Sequence, residues 1–135
     1  MKRMLFWLIV GAVVVLGAYI RLAPSDPGIW HVTPLGETNH DSQGSVTRVV
    51  ETGPVGLARL DAIARATPRT SVLAGSVEEG MVTYITRTKM IGFPDYTTAQ
   101  QDGDTLRIHA RLRFGRSDFG VNRNRVDGWL AALQP

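Results

Sequence analysis

An uncharged apolar run over residues 4–20, close to the N-terminus, constrains this chain more than any other feature. A helix needs about 20 apolar residues to span a bilayer, so this run lies at the short end of that length. Arg21 can extend its charge to the membrane surface, and residues 22–23 can lengthen the span. Trp7 and Tyr19 lie near the two ends, where amphipathic rings prefer the interface. The sequence predicts a transmembrane anchor over residues 1–23.

A cleaved signal peptide is the main alternative for this segment, and a buried core helix is another. Signal peptides carry small residues one and three positions before the cut. A cut after Ala23 would place Arg21 at one of these positions, and a cut after Ala18 would fall inside the apolar run. An uncleaved anchor therefore fits the residues better than a cleaved signal.

The charges beside the run predict its direction. Lys2 and Arg3 precede it, whereas Arg21 is the one close charge that follows it. Because positive residues stay on the cytoplasmic side, the N-terminus is expected in the cytoplasm. The prediction is a single-pass protein of the cell membrane whose C-terminal domain is extracytoplasmic, in the periplasm of a Gram-negative cell.

Composition excludes several classes of function. The net charge of +3 comes from the flanks of the anchor, because without Lys2, Arg3 and Arg21 the basic residues equal the 12 acidic ones. Nucleic acid is therefore not an expected partner, since its binding requires many phosphates to be neutralised. The chain has no cysteine, which rules out a disulfide framework, a thiolate metal site and a cysteine nucleophile.

Two regions follow the anchor. Residues 24–45 are rich in Pro, Gly, Ser, Thr, Asn and Asp, which predicts a linker or irregular lead-in. Trp30 lies in a small apolar island of this lead-in, and we expect its ring to pin the segment to the domain. Residues 46–135 are long enough for one modest core and form the predicted domain.

The clearest strand of the chain covers residues 105–114. Its apolar side chains alternate with polar ones, so one face is expected to be buried and the other to meet water or a partner. The apolar set is Leu106, Ile108, Ala110, Leu112 and Phe114, and the polar set is Arg107, His109, Arg111 and Arg113.

Weaker patterns complete the predicted domain. Other β-branched or alternating runs predict strands over residues 46–52, 71–77, 81–88 and 96–100, with a turn over residues 92–95. Apolar residues at helical spacing predict helices over residues 55–67 and 121–133. The predicted fold is α+β, with an antiparallel sheet of about five strands and two helices packed on one face.

Four segments of this chain resemble an uncharacterised bacterial family, domain of unknown function 1499. They are residues 30–34, 81–87, 92–96 and 114–123, of which the last is the most specific. The resemblance covers essentially the whole chain and implies a membrane-anchored member of the family in the cell envelope. It supplies no activity, cofactor or catalytic residue. Pro94, Asp95, Ser117, Asp118 and Asn122 are motif residues of unknown role.

The polar face of the strand over residues 105–114 is the first candidate site. Arg107, His109, Arg111 and Arg113, with Arg116 just beyond, could bind a phosphate or carboxylate, because two guanidinium groups on one face can address one anion. The alternative, which we favour, is a solvated face paired with acidic residues of neighbouring strands, such as Asp95 or Glu51.

The loop that leads into the last helix is the second candidate. Free N–H groups at a helix start can bind an anion, but Ser117 and Asp118 more commonly cap the helix themselves. Ser117 lacks the nucleophile-elbow pattern, and His109 would have to serve as its base. The three histidines have no metal-ligand spacing, and His40 with Asp41 is a weak metal candidate. We expect no cofactor.

Three hypotheses for function remain open. The favoured one is a non-enzymatic, membrane-tethered accessory or binding domain, whose arginine face engages an anionic lipid headgroup, an envelope polymer or an acidic protein patch. The second is an envelope hydrolase or transferase that uses His109 with Ser117 or Asp118. The third is a structural subunit of a membrane complex, which would show an exposed apolar patch larger than about 600 Å².

Overall fold

The computed structural model describes residues 1–34 and 36–134. Leu35, within the predicted lead-in, and Pro135, the last residue of the predicted domain, lie outside the described residues. The chain begins with the apolar helix α1 (Lys2–Leu22), and the rest of it forms one α+β unit. Helix α1 is almost wholly exposed, and among the described residues it is the one helix long and apolar enough to cross a membrane.

The domain contains one antiparallel sheet. Its strands are β1 (His40–Asp41), β2 (Ser45–Glu51), β3 (Thr70–Ser76), β4 (Met81–Arg87), β5 (Pro94–Asp102) and β6 (Thr105–Leu112), in the spatial order β1-β2-β6-β5-β4-β3. Strands β3 to β6 form a meander, because each is joined to the next by a short turn. The last strand of the meander, β6, pairs with β2, so the sheet is continuous from β1 to β3.

Three helices complete the domain. They are α2 (Pro27–Trp30), α3 (Gly56–Arg65) and α4 (Val121–Leu133). The two longer helices pack on the same face of the sheet, where Leu57, Leu60, Val126 and Trp129 meet apolar strand residues. The predicted α+β fold, with two helices on one face, is confirmed. There are six strands instead of about five, because a two-residue strand such as β1 carries no periodic pattern.

Several predicted boundaries differ from the structure. Strand β6 was predicted to reach residue 114 but ends at Leu112. At this end, the backbone N–H of Leu112 donates to the carbonyl of Gly44 in the lead-in. Strand β5 begins at Pro94, inside the segment that was predicted as a turn. Proline is tolerated as the first residue of a strand, since its missing N–H removes no internal ladder bond there. Helix α3 is shorter than predicted at both ends.

In its described residues the lead-in is largely irregular and packs on the sheet through Trp30, as the sequence analysis expected. It contains α2 and β1, and it crosses the sheet face opposite to α3 and α4. Asp26 accepts a hydrogen bond from the N–H of Gly28 at 2.8 Å, which caps the short helix. The sheet is therefore covered on both sides.

The end of α1 contacts the β4–β5 loop. The Arg21 guanidinium donates to the carbonyls of Ile91 and Met90 at 3.2 and 3.4 Å. Ile20 and Ala23 are buried at the same place. Tyr19 packs edge-on against Phe114, with the ring centroids 6.1 Å apart. These contacts seat the domain directly on the end of the apolar helix.

Candidate functional site

The polar face of β6 lies beneath the lead-in. Strand pairing places Arg111 beside Tyr96, and His109 beside Thr98 and Thr47. The Trp30 ring stacks on the ring of Tyr96, which lies on the neighbouring strand β5. The arginine face is therefore half-buried and is covered largely by the chain itself, whereas the sequence predicted a solvated face.

Arg111 makes the central contact of this face. It donates to Thr98 Oγ1 at 2.9 Å and to the carbonyls of Trp30 and His109, and its guanidinium lies 5.4 Å from the centroid of the Trp30 ring. Burial lowers its pKa to about 10, because no carboxylate offsets the loss of water. Neutral hydroxyl and carbonyl oxygens accept its hydrogen bonds, and the bond to the Trp30 carbonyl fastens the lead-in to the sheet.

Arg107 and Arg113, which with Arg111 form what we call the arginine stripe, also have partners within the chain. Arg113 donates to the carbonyl of Pro24 at 3.0 Å and to the Tyr96 hydroxyl at 3.1 Å. Arg107 pairs with Glu37 of the lead-in at 3.0 Å. Arg116, in the loop after β6, is exposed. Because these arginines already bond to other residues of the chain, the stripe has few free donors for an external anion.

The two acidic partners predicted for this face bond to other residues. Asp95 lies on the helix side of the sheet and pairs with Arg125 at 3.5 Å. That prediction failed because it had no strand register, and a shift of one residue moves a side chain to the opposite face. Glu51 does lie on the same face as Arg107, but it accepts a hydrogen bond from Thr105 Oγ1 at 2.6 Å.

His109 is a structural member of this face. Its Nδ1 lies 3.0 Å from Thr47 Oγ1, in a half-buried position. Burial lowers the pKa of the imidazole, and the positive charge of Arg111 lowers it further. Ser117 and Asp118 line a different cavity from the one lined by His109. The structure thus does not bring together the residues required by the hydrolase hypothesis.

Asp118 organises the start of α4. Its Oδ1 accepts from the N–H of Gly120 at 2.9 Å, and its Oδ2 accepts from the backbone N–H and side-chain amide of Asn122 at 3.0 and 2.7 Å. Ser117 Oγ accepts more weakly from the N–H of Phe119 at 3.3 Å. Asp118 therefore occupies the free N–H groups that an external anion would need.

A buried polar chain continues from Asn122 towards the sheet. Arg125 donates to the side-chain oxygen of Asn122 at 2.8 Å and reaches the carboxylate of Asp95. Burial raises the pKa of Asp95, against the opposing effect of Arg125, and burial lowers the pKa of Arg125. Asp118, Asn122, Arg125 and Asp95 are thus connected, and Pro94, which precedes Asp95, is buried at the start of β5.

Asp95, Ser117 and Asp118 line an apolar cavity of about 380 Å³, which we call the motif pocket. Its wall is made of aromatic and aliphatic side chains, namely Phe93, Leu112, Phe114, Phe119 and Val121. Phe114 also contacts Tyr19 of α1. The motif pocket therefore opens at the end of the domain where the apolar helix joins it.

A second cavity lies beside the motif pocket and shares Thr88 with it. Four basic side chains line this cavity of about 510 Å³, which we call the basic cavity: Arg21, Arg69, Arg87 and Lys89. Sequence reasoning missed it, because these residues are scattered over α1, the turn before β3, and β4 with its following loop. The one available signal was the prediction of two consecutive strands over residues 71–77 and 81–88, which form adjacent strands in the sheet.

The weak metal candidate does not form a ligand set. Asp41 pairs with Arg48, and this hydrogen bond lowers the pKa of its carboxyl. No group of three or more His, Asp or Glu side chains in the described part of the chain could hold a metal ion.

Fold and cavities define a small α+β domain that follows a single apolar N-terminal helix. Residues 24–133 match the family described as "Protein of unknown function (DUF1499)", so the chain belongs to this family. The match includes the lead-in, in agreement with its packing on the sheet. None of the curated proteins compared with the chain matches it.

Proposed function

We propose that this chain is a single-pass membrane protein whose domain sits on the outer surface of the membrane and binds an acyl chain of a lipid in the motif pocket. One observation carries the proposal: the end of the apolar helix, the motif pocket and a group of exposed apolar side chains occur at the same end of the sheet. The role is that of a binding module, and it needs no catalytic group.

The apolar helix supports the membrane part of the proposal. Its uncharged run over residues 4–20 gives a length of about 26 Å, at the short end for a hydrocarbon layer of about 30 Å, and Arg21 can extend its charge to the membrane surface. Nearly all of its side chains are exposed, as expected for a helix that lipid surrounds. Lys2 and Arg3 favour a cytoplasmic N-terminus, which places the domain outside the cytoplasmic membrane.

Exposed apolar side chains support a position of the domain flat on the membrane. Met90 and Ile91, beside Arg21, are 86% and 50% exposed, and Phe119, on the rim of the motif pocket, is 93% exposed. Exposure of several large apolar side chains at one end marks a contact surface. Because the apolar helix leaves the domain at this end, lipid is the nearest apolar phase that could cover them.

The first experiment measures how deeply this end enters the membrane. The chain has no cysteine, so single Met90→Cys and Phe119→Cys variants of the full protein in liposomes can each carry one nitroxide label. We expect these labels to be accessible to oxygen and protected from a water-soluble nickel relaxant. Val55→Cys is the matched control, because Val55 is similarly apolar and 57% exposed but lies next to α3, at the opposite end of β5.

Equal nickel accessibility at the three positions would contradict the membrane-seated domain. The orientation has its own test, in which a membrane-impermeant maleimide should label Val55→Cys in spheroplasts and should label Lys2→Cys only after lysis.

A photoactivatable acyl chain tests the motif pocket itself. We expect a phospholipid with such a chain to crosslink to the loops over residues 88–93 and 113–121 of the full protein. A Phe119→Ser variant should lose most of this labelling, whereas Val55→Ser should retain it. Labelling confined to α1 would show that the pocket does not take lipid.

A further inference from the structure

The basic cavity carries a charge that the domain as a whole lacks. Outside the flanks of the apolar helix, basic and acidic residues balance, yet the lining of this cavity holds Arg21, Arg69, Arg87 and Lys89 without a carboxylate. In the described part of the chain, none of these four side chains has an acidic partner within 4.0 Å. Like charges gathered in this way repel each other, and an anion between them would relieve the repulsion.

Backbone carbonyls position the guanidinium groups and leave other N–H groups unused. Arg69 donates through Nε to the carbonyl of Arg87 at 3.1 Å, and Arg87 donates through one terminal nitrogen to the carbonyl of Gly92 at 3.0 Å. Arg21 binds the carbonyls of the same loop. A guanidinium has five N–H donors, so each of the three retains several for a ligand.

The backbone of Arg69 adds a second observation. Its φ of 56° is the left-handed conformation, which non-glycine residues avoid because the side chain crowds the backbone. Strain of this kind persists where the surrounding structure holds it, and it clusters at ligand sites. Here the Arg69 side chain donates to the backbone carbonyl of Arg87, and both side chains line the basic cavity.

Arg21 sets the depth of the cavity relative to a membrane. It lies in the last turn of α1, directly after the uncharged apolar run of residues 4–20, which falls at the short end of the length that spans a bilayer. Arg21 therefore falls at the level of the lipid headgroups, and the basic cavity opens beside it. An arginine fork matches the geometry of phosphate oxygens, which it can bind in a bidentate manner.

We propose that Arg21, Arg69, Arg87 and Lys89 bind the phosphate of an anionic phospholipid headgroup. This inference rests on the proposed membrane-seated domain and names the class of lipid that it selects. The motif pocket is adjacent, so one molecule could place its phosphate in the basic cavity and an acyl chain in the motif pocket. The arginine stripe of β6 does not take part, because the lead-in and its neighbours already occupy those side chains.

The test compares two lipids on the full-length chain in neutral detergent. Short-chain phosphatidylglycerol and phosphatidylcholine are titrated separately, and native mass spectrometry reports the bound fraction. We expect the wild type to prefer phosphatidylglycerol. Each basic residue near a membrane surface favours anionic lipid by about fivefold, so Arg69→Gln with Arg87→Gln should weaken that binding on the order of 30-fold and should weaken the binding of phosphatidylcholine, whose choline cation offsets its phosphate, much less.

Two further variants keep the result interpretable. Lys89→Gln removes an exposed side chain that holds no loop carbonyl, so it should fold normally and weaken phosphatidylglycerol binding about fivefold. The control is Arg65→Gln with Arg123→Gln, which removes the same charge from side chains near Asp61 and Asp41, outside the cavity. Melting temperatures of all variants verify folding.

Three outcomes would overturn the inference. They are the absence of a lipid preference in the wild type, an equal loss in the control variant, and effective competition by free glycerol phosphate, which would assign the cavity to a soluble phosphate ester. Failure of the proposed function is distinguishable, because it would leave the labels at Met90 and Phe119 in water. Buried labels without headgroup preference would refute this inference alone.

Discussion

The indole ring of Trp30 stacks on the phenol ring of Tyr96, with centroids 4.0 Å apart and an angle of 14° between the planes. The Trp30 carbonyl accepts hydrogen bonds from Thr98, at 3.1 Å, and from Arg111. One residue of the lead-in therefore combines an aromatic contact with two polar ones. Through these contacts, a segment with the composition of a linker packs on the sheet as part of the domain.

Trp30→Ala should release the lead-in from the sheet. The loss of the stack and of the burial beneath it should lower the free energy of unfolding by about 2–3 kcal/mol, less than for a fully buried tryptophan. Hydrogen exchange should rise over residues 24–34 and remain slow in β4 and β5. Ile29→Ala, which truncates an exposed neighbour, is the control. Unchanged exchange would show that Trp30 does not hold the segment.

A methyl group at Gly75 should be poorly tolerated. The added Cβ would lie 2.6 Å from Cε1 of His31 and against the carbonyl of Met81, and the φ of 82° is unfavourable for alanine. Gly75→Ala should cost about 2 kcal/mol or more in chemical denaturation. Gly128→Ala is the matched control, because it lies within α4 with open space around it and should stabilise by up to about 1 kcal/mol. Equal effects would refute the close approach of His31.

Asp118→Ala should destabilise the start of α4. The substitution leaves the N–H groups of Gly120 and Asn122 without their acceptor, at a cost of about 1–2 kcal/mol. Asp118→Asn should retain part of this stability, since an amide oxygen still accepts one bond. Ser117→Ala, whose hydroxyl makes a weaker bond, should cost less. A larger effect at Ser117 would reverse the assignment of the cap.

The stability of the domain should depend on His109 as the pH falls. The folded state lowers the pKa of its imidazole below 6.5, so the unfolded chain binds the proton more readily. Stability from the neutral imidazole is fully present above pH 6.5 and is lost as the pH falls below it, by at most about 1.4 kcal/mol per pH unit. The difference between wild type and His109→Gln, measured by denaturation from pH 7.5 to 5, isolates this loss. A constant difference would contradict it.

Local patterns predicted much of the fold. The alternation of β6 and the apolar spacing of α4 each bury one face whatever surrounds them, so both elements and the α+β class follow from the sequence. The segments that resemble the family were also recognisable in the sequence, and the match over residues 24–133 confirms the family. Strand β1 and the exact ends of β5 and β6 were not predictable, because neighbouring strands determine them.

The candidate site was less predictable, since it depends on which segments meet. The sequence by itself determined the apolar helix, the charge balance and the alternating arginines of β6. The tertiary structure decided that Arg111 is covered by Trp30, and that Asp95 faces Arg125 on the other side of the sheet. It also gathered Arg21, Arg69 and Arg87 around one cavity. Periodicity fixes which face of an element is apolar, whereas strand register and the path of the chain fix what that face contacts.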